Sequence, residues 1–389
     1  PGWGQINAMF INFRARRLRY LKVSYLIRAY SSPRSDNMSS PRISKNNHKY
    51  EFTDESSFFM GTTVWRIRNK NTGVAGGWLE SEDNLCFTGS CWVADNAVVA
   101  NKARVSGDAI IRDESEVFDE GKVYGSARLS ETSTVADCAH VHGTARLHGK
   151  AVIGGNAKVS GNALVGGNAI ICGKAMVRDN GIVAGEGMLI DCAIISGRGK
   201  LSGRGVLSDR ARVFGNASVF EEARISGKAW VCSEAKVFGK ARVSEMAVIT
   251  DCSEVFGAAK VYGEAKVEGR SWVCGTAQVY GKASLSGRAL IGDSASVSGN
   301  SAIYDNAKIT GDSNVSGQTR VHGKAEVTGD AKLCGKVNIG GHSRVTTGTV
   351  YDGSPGIAEG LGEVPSPLQH KCECLLRDLM MHGCSCGGR

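Results

Sequence analysis

Residues 151–177 read AVIGGNAKVSGNALVGGNAIICGKAMV and repeat one pattern every six positions. The frame runs from Val93 to Val345 without an insertion or a deletion, and all 43 reference positions hold Val, Ile or Leu. A small residue, usually Ala, lies two positions before each aliphatic residue. Two positions after it lies Gly in 27 hexads and Asp or Glu in 13 others. A repeat this regular predicts a repeat architecture.

Each hexad alternates as a short β-strand does, with small and aliphatic residues on one side and variable residues on the other. The two residues that follow form a corner, where Gly, Asp and Asn tolerate a positive φ or bond to their own backbone. Three hexads, each with its strand and corner, close one triangular turn, so positions 18 apart stack in columns. The 43 hexads therefore predict about 14 turns of an all-β, single-stranded parallel β-helix.

The rest of the chain predicts a tail, two caps and a linker around this helix. Residues 9–30 within the tail are basic and amphipathic, which also fits a membrane-surface or transit segment. In the N-terminal cap we expect alternating strand residues such as Phe52, Val64 and Trp65, followed by a Gly-Gly-Trp turn. The predicted boundaries are 1–47 for a basic tail that is disordered or upstream sequence, 48–90 for a small β cap, 91–347 for the β-helix and 348–389 for a linker and C-terminal cap or tail.

Charge and hydropathy exclude two classes of partner. The chain of 389 residues has a formal net charge of +9, but residues 1–47 hold nine Lys or Arg and one acid, which leaves about +1 for the remainder. The basic residues of the repeat fall on all three predicted faces, whereas a nucleic-acid-binding protein concentrates them on one. No apolar stretch approaches the roughly 18 residues of a membrane helix. We expect neither nucleic acid binding nor a membrane span.

The hexad resembles that of the bacterial transferase hexapeptide-repeat family, whose members form left-handed parallel β-helices, and the resemblance covers about 260 residues. The lead-in is similar to the start of the enterobacterial YdcK-type hexapeptide proteins, for which an acyltransferase activity is suggested. The residues that carry this match are Gly76, Gly77, Trp78, Glu80, Asn84, Leu85, Gly89, Trp92 and Val93. The resemblance implies a left-handed helix, and for an enzyme it implies a His general base and an acyl-CoA held in a groove between subunits.

The candidate catalytic residues are His142 and His140, with Tyr124 as an assisting group. His140 and His142 flank Val141 and therefore point outward. The column neighbours of His140 are two lysines, whereas a general base needs a carboxylate or a carbonyl to fix its tautomer. Unbroken hexads also leave no loop to wall an acceptor pocket. We interpret these residues as surface histidines, with catalysis by His142 as the alternative.

The outward position after each aliphatic residue carries two aromatic columns, whose members lie three hexads apart. Large aromatic residues are enriched at protein interfaces, although they also favour β-strands in general. The sequence therefore predicts an oligomer or partner interface, with the β-strand preference of aromatic residues as the alternative. The residues of this predicted interface are Phe220, Phe238, Phe256, Trp272, Tyr262 and Tyr280.

The cysteines predict free thiols and a cytoplasmic location. The seven cysteines from Cys138 to Cys334 include no two that are three hexads apart, as neighbours in a column are. In the tail, Cys372, Cys374, Cys384 and Cys386 form two Cys-x-Cys pairs, which are only a weak zinc signal, so we expect no metal site.

The sequence predicts a non-catalytic or weakly catalytic scaffold or binding protein. At the aromatic columns we expect it either to form a homo-oligomer, as a trimer or dimer, or to bind a protein partner. No cofactor is expected on this interpretation. The alternative is an acyl-CoA-dependent O- or N-acyltransferase that uses acetyl-CoA or another acyl-CoA at subunit grooves.

Overall fold

The computed structural model describes Pro41 and residues 43–351. The chain divides into two compact units, with the boundary between Arg210 and Ala211. Unit 1 contains the N-terminal cap and the first part of the repeat, and unit 2 contains the rest.

Two-residue strands begin every six residues in both units. They run from Trp92–Val93 to Val206–Leu207 in unit 1, and from Arg212–Val213 to Arg344–Val345 in unit 2. One more strand, Thr349–Val350, follows in unit 2. At three strands per turn, the 20 repeat strands of unit 1 form nearly seven turns. The 24 strands of unit 2 form eight turns.

Within each unit the strands pair in parallel with the strands one turn away, and they form three faces. In unit 1, face 1 begins with Trp92–Val93, face 2 with Val98–Val99 and face 3 with Arg104–Val105. In unit 2, faces 1, 2 and 3 begin with Ser218–Val219, Arg224–Ile225 and Arg212–Val213, respectively. The described residues are therefore an all-β solenoid, consistent with the predicted left-handed parallel β-helix.

The core is made of the two inward residues of each hexad. The small residue and the aliphatic residue are fully buried in nearly every turn, as at Ala169 and Ile171. Where Ser replaces Ala, its hydroxyl bonds within the turn or to the next turn: Ser253 Oγ donates to the Thr250 carbonyl at 2.5 Å, and the hydroxyls of Ser115 and Ser133 are 3.2 Å apart. No buried side-chain nitrogen or oxygen of the described residues lacks a hydrogen-bond partner. The hexad thus accounts for the packing of the solenoid.

The corners adopt the conformation that their composition predicts. All 27 corner glycines and all 13 corner acids have a positive φ, for example 53° at Asp137 and 56° at Asp251. Many of these acids also bind the next turn, because the carboxylate accepts the backbone N–H of the corner residue one turn further on. Asp137 Oδ2 accepts the N–H of Gly155 at 2.7 Å, and Asp251 Oδ2 accepts that of Gly269 at 2.9 Å. An acid therefore replaces Gly at a corner and adds a bond between turns.

The N-terminal cap is an antiparallel meander that continues face 2 of unit 1. Its strands are β1 (Tyr50–Phe59), β2 (Thr62–Asn69) and β3 (Ala75–Leu79), and β3 pairs in parallel with Val98–Val99. A 3₁₀ turn, Glu82–Asn84, leads into the repeat.

Gly76 and Gly77 lie in β3, so the expected turn at Gly-Gly-Trp is not present. A Cβ on either glycine would collide with the first turn, at Val93 and Ala97 among other residues. The two glycines therefore let the cap strand approach the solenoid closely.

Hydrogen bonds join the start of the cap to the segment that leads into the repeat. The Tyr50 side chain is fully buried, and its hydroxyl donates to the carbonyls of Glu82 and Leu85 at 3.2 and 2.9 Å. The Lys49 ammonium donates to the carbonyl of Cys86 at 3.2 Å. The Glu82 carboxylate accepts the backbone N–H of Ser44. This end of the solenoid is therefore closed by polar groups that would otherwise be unpaired.

The last turn breaks the frame. Lys332 pairs with Thr349 and Leu333 with Val350, which is one position short of the regular register of three hexads. The sequence predicted the helix to end at 347, and the structure adds this strand, which the hexad pattern does not reveal because it is out of phase. The expected C-terminal cap or tail beyond residue 351 and the expected basic tail before residue 41 lie outside the described residues.

Candidate functional site

His140, His142 and Tyr124 lie together on face 3 of unit 1. The Tyr124 ring stacks on the His142 ring, with 4.8 Å between centroids and 7° between planes. The same tyrosine meets His140 edge to face at 6.1 Å. Lys122 and Lys158 are the register partners of His140 on the two neighbouring strands. The structure thus brings the predicted residues and both lysines to one place.

The surroundings of both imidazoles favour the neutral form. The pKa of His140 is lowered from its ordinary 6.5 by burial and then by the charges of Lys122, Lys158 and His142. The pKa of His142 is lowered by burial and then by Lys158. A neutral imidazole is the form that a general base needs. However, within the described part of the chain no side chain or carbonyl hydrogen-bonds to either ring, so no group fixes a tautomer.

Two other histidines are packed against glycines. A Cβ on Gly166 would collide with the ring of His148, and one on Gly340 would collide with the ring of His322. His322 also stacks on Tyr304, with 5.1 Å between centroids. The pair repeats the Tyr124–His142 arrangement and was missed from the sequence, although its spacing of three hexads is visible there. These rings fill the gaps that neighbouring glycines leave.

The aromatic columns of unit 2 are continuous ring stacks. On face 1, Phe220 and Phe238 are 4.9 Å apart and Phe238 and Phe256 are 5.0 Å apart, each pair within 4° of parallel. On face 2, Tyr262 and Tyr280 stack at 4.9 Å. Within each column the flat faces of the rings contact one another, so the ring edges point away from the solenoid.

The phenylalanine column is less exposed than the sequence indicated. Phe256 is only 8% exposed, and Cys274, the next residue of the column, is 5% exposed. Phe220, Phe238 and the neighbouring Trp272 are half-buried. Stacking covers Phe238 on both sides and Phe220 and Phe256 on one side each, and a single-residue pattern does not reveal this.

A second aromatic site, on face 3 of unit 2, was not predicted. Trp230 is 43% exposed, and the Arg212 guanidinium lies over its ring at 5.9 Å. Phe214 meets the same ring edge to face at 6.1 Å. Arg212 and Trp230 occupy the outward position before the aliphatic residue, whereas the two predicted columns occupy the position after it.

One groove of unit 2 is smaller than most sites for small ligands. A groove along one corner of unit 2, between Met246 and Lys282, has a volume of about 240 Å³. Ligand sites usually have volumes of about 300–1,000 Å³ and enclose most of the ligand. Lys282 and Glu264, which line this groove, are 3.8 Å apart as an ion pair. The groove therefore resembles an ordinary gap between corner residues.

Metal ligands do not cluster in the described residues, where no group of three or more His, Cys, Asp or Glu could hold an ion. No disulfide joins the nine cysteines of this part of the chain. Burial raises the pKa of Cys172 to about 12, which makes it an unreactive thiol. The weak zinc candidates Cys372, Cys374, Cys384 and Cys386 lie outside the described residues.

Comparisons with known proteins leave the family open. No family model matches the chain, and no curated protein matches it. Among the described residues, no helix is both long enough and apolar enough to cross a lipid bilayer.

Proposed function

We propose that this chain is a cytoplasmic bacterial scaffold of the hexapeptide-repeat type that binds a protein partner, or a further copy of itself, through the aromatic columns of unit 2. The carrying observation is the alignment of Phe220, Phe238 and Phe256, whose ring edges form one straight apolar line across three turns. Such a line suits an extended apolar segment of another protein, since aromatic residues dominate the binding energy of interfaces.

The experiment compares capture of bacterial proteins by the full chain and by the variant Phe220→Ser/Phe238→Ser. Ser occupies the same outward position in other turns, for example at Ser202, so the solenoid tolerates it. Phe214→Ser is the matched control on another face of the same unit. A partner that the native chain and the control retain, and that the double variant loses, supports the proposal. Equal retention by all three proteins, with unchanged sedimentation, contradicts it.

The second candidate, an acyl-CoA-dependent acyltransferase, is favoured by one observation. His140 and His142 are held neutral beside Lys122 and Lys158, which supply positive charge for the phosphates of CoA. Against this candidate, no group among the described residues hydrogen-bonds to either imidazole and fixes its tautomer.

Titration of acetyl-CoA into the native chain and into His142→Ala separates the two functions. Saturable binding in the micromolar range that the variant loses makes the acyltransferase the working model. No heat of binding at millimolar acetyl-CoA leaves the scaffold as the function.

A further inference from the structure

One corner of unit 1 carries positive charge and no acid over three turns. Three stacked segments pass around this corner from face 3 to face 1, and they read KVYGSAR, HVHGTAR and KVSGNAL at residues 122–128, 140–146 and 158–164. We call the three segments the basic edge. Its four permanent cations are Lys122, Arg128, Arg146 and Lys158. None of its positions is Asp or Glu.

Stacking brings like charges side by side on both faces of the basic edge. On face 1, Arg128 and Arg146 are register partners in neighbouring turns. On face 3, His140 is the register partner of both Lys122 and Lys158. Neighbouring strands are about 4.8 Å apart, and like charges directly opposite each other destabilise a sheet. An anion bound at the basic edge would relieve this repulsion.

The four cations have no counterion among the described residues. In unit 2, an outward cation pairs with an acid one turn away, as Lys236 does with Glu254 at 3.0 Å. In the part of the chain that the structure describes, none of the four cations of the basic edge makes an ion pair or a hydrogen bond with its side chain, and all four are exposed. Acids of the same turns lie at the other two corners, where Glu120 pairs with Lys102 at 3.6 Å and Glu131 stands at the far end of face 1.

We propose that the basic edge binds a short acidic segment of a partner protein. A corner of the solenoid is convex, so it cannot enclose a small ligand as most small-molecule sites do. A segment held by a partner protein can instead lie along the corner, with carboxylates on both of its sides. The hydroxyls of Tyr124 and Ser126 lie between the two rows of cations and can donate to the same carboxylates. This surface belongs to unit 1 and goes beyond the proposed function, which concerns the aromatic columns of unit 2.

The length of the basic edge selects a segment of few residues. Two strand spacings, about 9.6 Å, separate the strand of Lys122 from that of Lys158. An extended peptide rises about 3.3 Å per residue and directs alternate side chains to one side, so about four or five residues with alternate acids cover this distance. A longer polyanion such as a nucleic acid would continue past both ends. There it would meet Asp108 and Asp179, which lie at the same corner one turn before and one turn after the basic edge.

The two arginines should make the strongest contacts with the segment. A guanidinium binds a carboxylate through two parallel hydrogen bonds, and Arg128 and Arg146 lie one turn apart. The corner between the rows of cations is neutral and is bonded to itself, since Thr144 Oγ1 donates to Asn162 Oδ1 and Asn162 Nδ2 donates to Asn180 Oδ1 at 3.2 Å. The carboxylates of the segment are therefore drawn to the cations on the two sides and not to the corner itself.

Fluorescence anisotropy of a labelled peptide tests the proposal on the full chain. The probe is a short peptide of alternating Glu and Ser, and its control is a peptide of the same length that alternates Lys and Ser. Arg128→Ser/Arg146→Ser should raise the dissociation constant of the Glu peptide at least about tenfold. Arg224→Ser/Arg242→Ser removes the same charge from a register pair of arginines in unit 2, and it should change the constant less than about twofold. Ser occupies the same outward position at Ser284, so the solenoid tolerates both variants.

A charge reversal tests the chemistry of the partner. Arg128→Glu/Arg146→Glu should abolish binding of the Glu peptide and create binding of the Lys peptide. Circular dichroism checks that each variant folds. Lys158→Ser is the milder variant if the reversal does not fold, and it should weaken binding of the Glu peptide several-fold.

Three results would overturn the proposal. The first is no saturable binding of the Glu peptide at low salt, where electrostatic attraction is strongest. The second is an equal loss in Arg224→Ser/Arg242→Ser, which would trace binding to net charge alone. The third is a short RNA duplex that binds more tightly than the Glu peptide and is released by Arg128→Ser/Arg146→Ser. Phe220→Ser/Phe238→Ser should bind the Glu peptide as the native chain does, so this proposal and the proposed function can fail separately.

Discussion

Face 2 has the same backbone in the two units but presents two different surfaces. In unit 1 its outward residues are aliphatic over five turns, with Ile170 at the centre. In unit 2 the corresponding sheet begins with Arg224, Arg242 and Lys260 and continues with the stacked Tyr262 and Tyr280. The inward residues of both units are nevertheless the same small and aliphatic types. The difference shows that the fold depends on the inward positions, which leaves the outward positions to determine what each face binds.

The largest expected effect is on the free energy of unfolding, and it should differ between inward and outward residues of face 2. Ile171→Ala in unit 1 and Ile225→Ala in unit 2 each empty a fully buried position and should lower the free energy of unfolding by about 2–5 kcal/mol. Ile170→Ala, one residue away and outward, should cost less than about 1 kcal/mol in the monomer. Urea unfolding measures all three, and an equal loss at Ile170 would contradict the separation of roles.

The corners should behave alike in both units. Asp137→Ala and Asp251→Ala each lose a carboxylate bond to the next turn and place Ala at a positive φ, for an expected loss of about 1–3 kcal/mol. Asp137→Gly keeps the backbone relaxed and isolates the hydrogen bond. Thermal unfolding should rank the native protein above Asp137→Gly, and Asp137→Gly above Asp137→Ala. The reverse order of the two variants would mean that the backbone conformation is not the limiting factor.

An exchange of surface character should change association and leave stability nearly constant. Arg242→Ile/Lys260→Ile gives face 2 of unit 2 an aliphatic strip like that of unit 1. Because both side chains are exposed, we expect a stability change within about 0.5 kcal/mol. Sedimentation should instead detect increased self-association. A large loss of stability would show that these cations support the turns beneath them.

The smallest expected effect concerns the imidazoles on face 3 of unit 1. Lys158→Met should raise the pKa of both His140 and His142, whereas Lys122→Met should raise only that of His140. Nuclear magnetic resonance titration of the imidazole protons measures each pKa. Since both folded pKa values lie below the ordinary 6.5, the unfolded chain binds protons first as pH falls through 6.5, and the pair loses stability there. Lys158→Met should reduce that loss, and identical responses to both variants would contradict the assignment.

The inward and corner positions could be predicted from the sequence because each is constrained by one local requirement. Every sixth residue from Val93 to Val345 has to be aliphatic to fill the core, and the corner residue Asp137 has to tolerate a positive φ. The strand Thr349–Val350 could not be predicted, since its register, one position short of three hexads, leaves no trace in the repeat frame. The sequence predicts a turn at Gly76 and Gly77 and not a strand, because close packing of strands and turn formation both select Gly.

The candidate sites were only partly predictable, because they depend on distances across turns. The spacing of three hexads correctly placed Tyr124 beside His142, and it placed Phe238 between two other phenylalanines. It could not indicate how far stacking would cover these rings. The cluster at Trp230 combines two outward positions of neighbouring strands, so a search along one column does not find it.

The shortened last turn has a consequence for growth into fibres. A solenoid that ended in phase would present a complete strand ladder, on which the first turn of another molecule could continue the lattice indefinitely. Thr349–Val350 is displaced by one position from that lattice, so its neighbouring corner and the row of amides and carbonyls no longer match a regular turn. We therefore expect the displaced strand to be a poorer template for end-to-end stacking than a strand in phase, while every earlier turn keeps the regular register.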